Sequence, residues 1–180
     1  MTDGPRTTNW YVITGGPSSG KTTTVNLLRE RGYQTTIEHA RHYIDLQRIA
    51  GRTTEQVRAR QLEFQQGVLA MQLEQEAALD PDAVVFLDRA VPDSLAYYRF
   101  LGLAPDDRLI KAVNHARYRM TFVLDLLPLA PDYARTEDAA DQQRIHDLLT
   151  EVYAALPSPL VRVPVMPAAE RVQFILGHLA

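Results

Sequence analysis

Residues 15–22 read Gly15-Gly16-Pro17-Ser18-Ser19-Gly20-Lys21-Thr22 and match the pattern GxxxxGK[ST] in full. These are the residue types that hold a polyphosphate. Glycines let backbone N–H groups turn toward an anion without a side chain in the way. A helix starting near Lys21 would aim the positive end of its dipole at the same anion. Lys21 would reach the β- and γ-phosphates as a compact cation, and the Thr22 hydroxyl would ligate Mg2+. Thr23 could touch the α-phosphate. The stretch therefore implies binding of a nucleoside triphosphate, with ATP and Mg2+ the expected ligands. The bland alternative is a glycine-rich turn that holds nothing.

A second group of residues bears on what the phosphate is used for. The apolar run Ala83-Val84-Val85-Phe86-Leu87 ends in Asp88-Arg89, with no Glu beside the Asp to polarise a water. Asp88 could hold Mg2+ through its water shell, and Arg89 could hold an anion or a substrate oxygen. That suits transfer to a bound acceptor better than transfer to water. The alternatives are a strand-end cap for Asp88 and a structural ion pair for Arg89. No Asn-Lys-x-Asp element that would read guanine is present. Glu38 closes an expected strand at the edge where open α/β sheets place their ligands, and could act as general base. Asp88 is the other candidate for that role. Arg41 could neutralise acceptor or phosphate charge, while Tyr43 and Gln66 could supply shape and hydrogen bonds. Each of these has a structural reading as well, since surface arginine and glutamine are commonplace on helices. Arg135 and Arg144 flank a polar stretch that could form a lid at about 127–144, bringing positive charge to the developing transition state and excluding water. A solvated helix start is the alternative.

The elements that must position these groups alternate along the chain. Trp10–Thr14, Tyr33–Glu38, Ala83–Asp88, Met120–Leu124 and Leu160–Val163 read as strands from their runs of apolar and β-branched residues. Helical patterns cover Lys21–Arg31, Ala40–Ala50, Thr54–Ala78, Asp93–Leu101, Asp106–Ala116, Asp138–Leu156 and Ala168–Leu179. Gly32 stops the first of them as a helix C-cap would. Near-continuous apolar strands alternating with helices imply a parallel sheet covered on both faces. The reading is one α/β domain over residues 10–180, with residues 1–9 a frayed N-terminus.

Composition narrows the partners. The chain has 180 residues, no cysteine and a formal net charge of −3. Disulfides, thiolate metal sites and a cysteine nucleophile are excluded. The five histidines show no HExxH spacing. His39 and His42 could share a helical face but would need carboxylates to hold a metal. The mild acidity argues against a nucleic-acid reader. No run of 18 apolar residues marks a membrane span, and the first residues lack a secretion signal, so a cytoplasmic protein is expected. Lysine occurs only at 21 and 111. Leu95, Tyr97, Tyr98 and Phe100 read as core, with a homodimer interface as the alternative.

The segments GGPSSGKTT at 15–23, EHARHY at 38–43, FLDRAVPDSLAYY at 86–98 and PDYARTEDAADQQR at 131–144 together resemble a family of small bacterial predicted ATPases or kinases classed as an AAA domain. They are also similar to the ribosylnicotinamide kinase domain of a bifunctional regulator of NAD biosynthesis. The resemblance spans about residues 11–179. It implies a three-layer P-loop kinase-like fold with a five-stranded parallel sheet in the order 2-3-1-4-5, ATP–Mg2+ binding, and phosphorylation of a nucleoside-like hydroxyl. The Asp88-Arg89 pair followed by Ser94 resembles the acidic-Arg-Ser element of deoxynucleoside kinases, but Ala90 follows Arg89 where they have Ser.

Three readings follow. The first is a Mg–ATP-dependent kinase acting on a hydroxyl of a small molecule such as ribosylnicotinamide. The second, from another class, is a nucleotide-binding switch or slow ATPase acting on a protein partner. The third is a nucleotide kinase of the adenylate or thymidylate type, which would want more arginines around a second phosphate. The identity of the acceptor and the choice of ATP over GTP are left open by these residues.

Overall fold

A computed structural model describes residues 5–128 and 138–179. Its centre is the strand β1 (Trp10–Thr14), all five residues of which are buried. β1 lies between two parallel partners, β3 (Val85–Asp88) and β4 (Met120–Leu124). The short β2 (Gln34–Thr35) flanks β3 and β5 (Leu160–Val163) flanks β4, so the sheet order is 2-3-1-4-5 with every pairing parallel. This is the order that the family resemblance implies.

Strand residues alternate between two faces, and each face has its own helices. Tyr11 and Ile13 pack with Val25 and Leu28 of α1 (Lys21–Glu30) and with Val172 and Ile175 of α8 (Ala168–Leu176). Trp10, Val12 and Leu87 pack on the other side, against the chain's middle helices. These include α4 (Gln61–Ala78), α5 (Val91–Phe100), α6 (Asp107–His115) and α7 (Ala139–Ala154). A smaller cluster joins Ile44 of α2 (His39–Ile49) to Val57 of α3 (Thr54–Ala59) and to Phe64 and Val68 of α4. Among the described residues no helix is long and apolar enough to cross a membrane.

Two elements differ from the sequence expectation. The helix expected over Thr54–Ala78 is broken at Arg60, whose ψ of 63° leaves helical geometry. The apolar spacing Val57, Phe64, Val68 runs through the break in helical phase and carries no sign of it. The strand expected over Tyr33–Glu38 pairs only at Gln34 and Thr35. Beyond it Thr36 donates its N–H to Phe86 O at 3.1 Å and accepts from Asp88 N–H on its hydroxyl at 2.9 Å. The chain then turns, and Glu38 becomes the residue that caps α2.

Candidate active site

The loop between β1 and α1 is shaped by backbone that few residues adopt. Among the described residues only Ser18 and Arg89 combine a side chain with a positive φ, at 61° and 66°. Both line the same cavity, of about 250 Å3. Strained backbone held in place by its surroundings is a mark of sites built for binding. Gly20 has φ 83°, and a Cβ there would lie 2.3 Å from Arg171 Nη1, so the position tolerates only glycine without rearrangement. Arg171 in turn donates to Gly20 O at 3.2 Å and to the Thr24 hydroxyl at 3.1 Å, tying α8 to the start of α1.

Lys21 is 5% exposed and folds back into the loop. Its Nζ donates to Gly15 O and Gly16 O, both at 3.0 Å, and to Ser19 Oγ at 3.2 Å. Burial, aided by the Arg89 guanidinium, pushes the ammonium down to about 7, against the pull of Glu38, Asp88 and Asp93. Thr22 and Thr23 stand exposed on the first turn of α1, lining the cavity. The loop reading of residues 15–23 therefore corresponds to one physical cradle at a helix N-terminus.

The ends of β3 and β2 bring a second set of groups to it. Arg89 Nε lies 3.5 Å from Glu38 Oε1, and its Nη1 lies 3.0 Å from Asp93 Oδ1. Its guanidinium carbon sits 5.3 Å from the centre of the Tyr97 ring. The guanidinium is held well above its ordinary range, because Tyr97 and the carboxylates of Glu38, Asp93 and Asp88 outweigh its burial. Asp93, on the first turn of α5, is a hub: it also accepts from the Thr14 hydroxyl at 2.8 Å, from Ala90 N–H at 3.1 Å and from the Tyr153 hydroxyl. Asp88 Oδ1 is buried with no hydrogen-bond partner. Burial and the Glu38 carboxylate push Asp88 up to about 7.

The structure sorts the expected acceptor residues. Glu38, Arg41 and Arg89 line the cavity, with Arg41 Nε 3.9 Å from Glu38 Oε2. Gln66 is exposed and absent from the cavity wall; its neighbour Gln65 is buried and lines it. Tyr43 packs edge-on against Phe64, ring centres 5.5 Å apart, and covers Gly67. Arg144 is exposed on α7, and Arg135 lies outside the described residues with the rest of 129–137, half of the expected lid. Besides Gln65, sequence reading missed four residues at the site. Asp93 and Gln72 carry no motif; Gln142 and His146 of α7 contact the loop from outside, with no sequence signal linking them to residues 16 and 17.

A glycine-rich loop closing on a buried lysine, at the carboxyl edge of a 2-3-1-4-5 parallel sheet, defines a P-loop domain with the kinase-like strand order. The chain belongs to the AAA domain family, whose model matches residues 10–171. No curated protein matches it by sequence. Similar solved structures include deoxyadenosine kinase from M. mycoides with products dCMP and dCDP bound, at TM-score 0.65 and 13% identity over 94% of this chain and 97% of that one. Thymidylate kinase from Ehrlichia chaffeensis is similar at TM-score 0.64 and 17% identity, covering 95% and 98%. The NadR protein in complex with NR gives TM-score 0.59 and 20% identity over 86% of this chain and 43% of that one. At these identities the likeness is one of fold.

Proposed function

We propose that this protein is an ATP-dependent kinase that transfers the γ-phosphoryl group to a hydroxyl of a small, uncharged, nucleoside-like acceptor. The observation that carries the reading is the single cavity shared by Lys21, Thr22 and Thr23 of the loop with Glu38, Gln65, Gln72 and Ser94. A phosphate cradle and an acceptor pocket thus open onto one space.

In-line transfer asks mainly for positioning and charge stabilisation. The polyphosphate of ATP would lie on the loop, where Lys21 leaves its carbonyl partners for the β- and γ-phosphates. The acceptor hydroxyl would approach Glu38, which takes its proton as the oxygen attacks the γ-phosphorus and ADP departs. Asp88 and the Thr22 hydroxyl are the groups that would hold Mg2+, and the buried, unpartnered Asp88 Oδ1 fits a cation nearby. When bound, Mg2+ would neutralise phosphate charge. Arg144 on α7 and Arg135 remain the candidates for added positive charge at the transferring group.

Features of the far wall favour an uncharged acceptor. Ile44, Phe64 and Val68 give an apolar surface, and the amides of Gln65 and Gln72 are buried in it at 5% and 3% exposure. Ser94 Oγ is buried there with no hydrogen-bond partner. Arg89 and Arg41 each have a carboxylate partner, while Arg58 also lines the cavity. A flat ring bearing donors and acceptors, attached to a hydroxyl-bearing sugar, matches that wall.

The test is ADP release from Mg–ATP by the purified protein, with ribosylnicotinamide, nucleosides, nucleoside monophosphates and sugars offered in turn and Lys21→Ala as the blank. Acceptor-dependent release with a phosphorylated product is expected. Release that no acceptor changes but Lys21→Ala abolishes would favour the switch or ATPase; stimulation by a monophosphate alone would favour a nucleotide kinase.

A further inference from the structure

The outer side of the phosphate-binding loop is gripped by two side chains one helical turn apart on α7. His146 Nδ1 accepts the Gly16 N–H at 3.2 Å. Gln142 Nε2 donates to Pro17 O at 2.7 Å and to Leu127 O at 3.0 Å. Both side chains are nearly inaccessible, at 5% and 6% exposure. The fit is close: a Cβ on Gly16 would meet Gln142 O at 2.9 Å and His146 Cβ at 3.0 Å.

Peptide planarity turns these outer contacts into inner ones. In a trans peptide unit the C=O and the following N–H point in opposite directions. The peptide that offers the Gly16 N–H outward to His146 therefore turns Gly15 O inward, and Gly15 O is where Lys21 Nζ docks at 3.0 Å. The peptide whose Pro17 carbonyl is drawn out by Gln142 likewise turns the Ser18 N–H inward. The same holds one residue on, where Ser18 O accepts Leu127 N–H at 3.0 Å and so turns the Ser19 N–H inward. Pro17 itself has no N–H to aim. The Ser18 and Ser19 N–H groups are thus oriented through the carbonyls that precede them, held by Gln142 and by Leu127 N–H.

We infer that Gln142 and His146 are positioning residues for the nucleotide: they set the peptide planes of residues 15–18 and so tune how tightly the loop holds a polyphosphate. The inference rests on the proposed nucleotide-binding reading and concerns residues that never touch the ligand. His146 can accept from Gly16 only while Nδ1 is unprotonated. Burial lowers its affinity for a proton, and Asp125 after β4, Arg162 of β5, Asp147 of α7 and Lys21 of the loop also face it. Acid should therefore release Gly16 and weaken nucleotide binding.

The experiment is calorimetric titration of Mg–ATP into wild type, Lys21→Ala, Gln142→Leu, His146→Leu and His146→Asn between pH 8 and pH 5, with thermal unfolding run beside it. Asn can present Oδ1 where His presents Nδ1, and it does not titrate. His146→Leu and Gln142→Leu are each expected to weaken Kd about tenfold at pH 8, the size of one buried hydrogen bond. His146→Asn should recover most of that loss. Because Lys21 and Asp88 titrate in every variant, the acid effect is read as a ratio: wild type should weaken relative to His146→Asn as the pH falls. A His146→Leu variant that binds like wild type, an Asn variant no better than Leu, or a constant ratio overturns the inference. If His146→Leu does not fold, Gln142→Leu and the pH ratio decide. Wild type that binds no Mg–ATP, and so matches Lys21→Ala, overturns the nucleotide reading itself.

Discussion

Arg89 Nε lies 3.5 Å from Glu38 Oε1, so the residue that follows β3 and the residue that caps α2 meet over the cavity that Lys21 also lines. The other end of the same guanidinium is held by Asp93, 3.0 Å away. Arg89 therefore orients Glu38 from a fixed point, leaving the carboxylate 17% exposed at the cavity surface. A general base must be placed before its pKa matters; under the proposed function this pair would place Glu38.

Glu38→Gln keeps the side-chain shape and removes the proton acceptor. The expected result is a fall in kcat of about 10²–10⁴-fold with little change in KM for ATP. Steady-state kinetics with the acceptor identified by ADP release checks it. A variant with wild-type kcat would move the base to Asp88.

The two adjacent glutamines of α4 should behave differently. Gln65→Ala removes a buried amide from the proposed acceptor wall and, on that reading, should raise acceptor KM by about tenfold, as loss of one buried hydrogen bond implies. Gln66→Ala alters an exposed position and should leave acceptor KM unchanged. Parallel saturation curves for the two variants distinguish the outcomes.

Glu76, on the same helix, supports α5 from behind. It accepts Val91 N–H at 3.1 Å and the Tyr118 hydroxyl at 3.0 Å. Burial outweighs these bonds and pushes its carboxyl from 4.5 up to about 7. The folded state thus holds the proton more tightly than the unfolded chain. The stabilisation is complete below 4.5 and is lost as the pH rises to about 7. Glu76→Gln should abolish that decline, gaining about 2–3 kcal/mol relative to wild type between pH 5 and pH 8. Urea unfolding at the two pH values measures the difference. Equal slopes for the two proteins would show that Glu76 is not the titrating group.

Tyr43 shows where reading by position runs out. Its residue type suggests shape and hydrogen bonds for an acceptor; the structure adds that its ring lies over Gly67, where a Cβ would come within 2.2 Å of Cε2. Neither residue announces the other, because they are on different helices. The Gln65–Gln66 choice is similar. The two occupy successive positions, about 100° apart around α4, and only the contact with α2 says which one faces inward.

Residues close in sequence told a fuller story. The loop at 15–22 was legible because its work is done by consecutive backbone groups whose conformation depends on residue type and local order. Met120–Leu124 and Leu160–Val163 were legible as strands for the same reason, being short apolar runs between turns, and their bounds coincide with those of β4 and β5. Sequence alone thus determined the phosphate-binding loop, the alternation of strands and helices, and the carboxylates at the strand ends. Tertiary structure decided the rest: that Asp93 is the hub of Arg89, Thr14 and Tyr153, that Gln65 rather than Gln66 faces the cavity, and that α7 holds the loop through Gln142 and His146. Those relationships join residues as far apart as 16 and 146. No local propensity encodes such a meeting, because it exists only once both faces of the sheet are covered and the helices have taken their places.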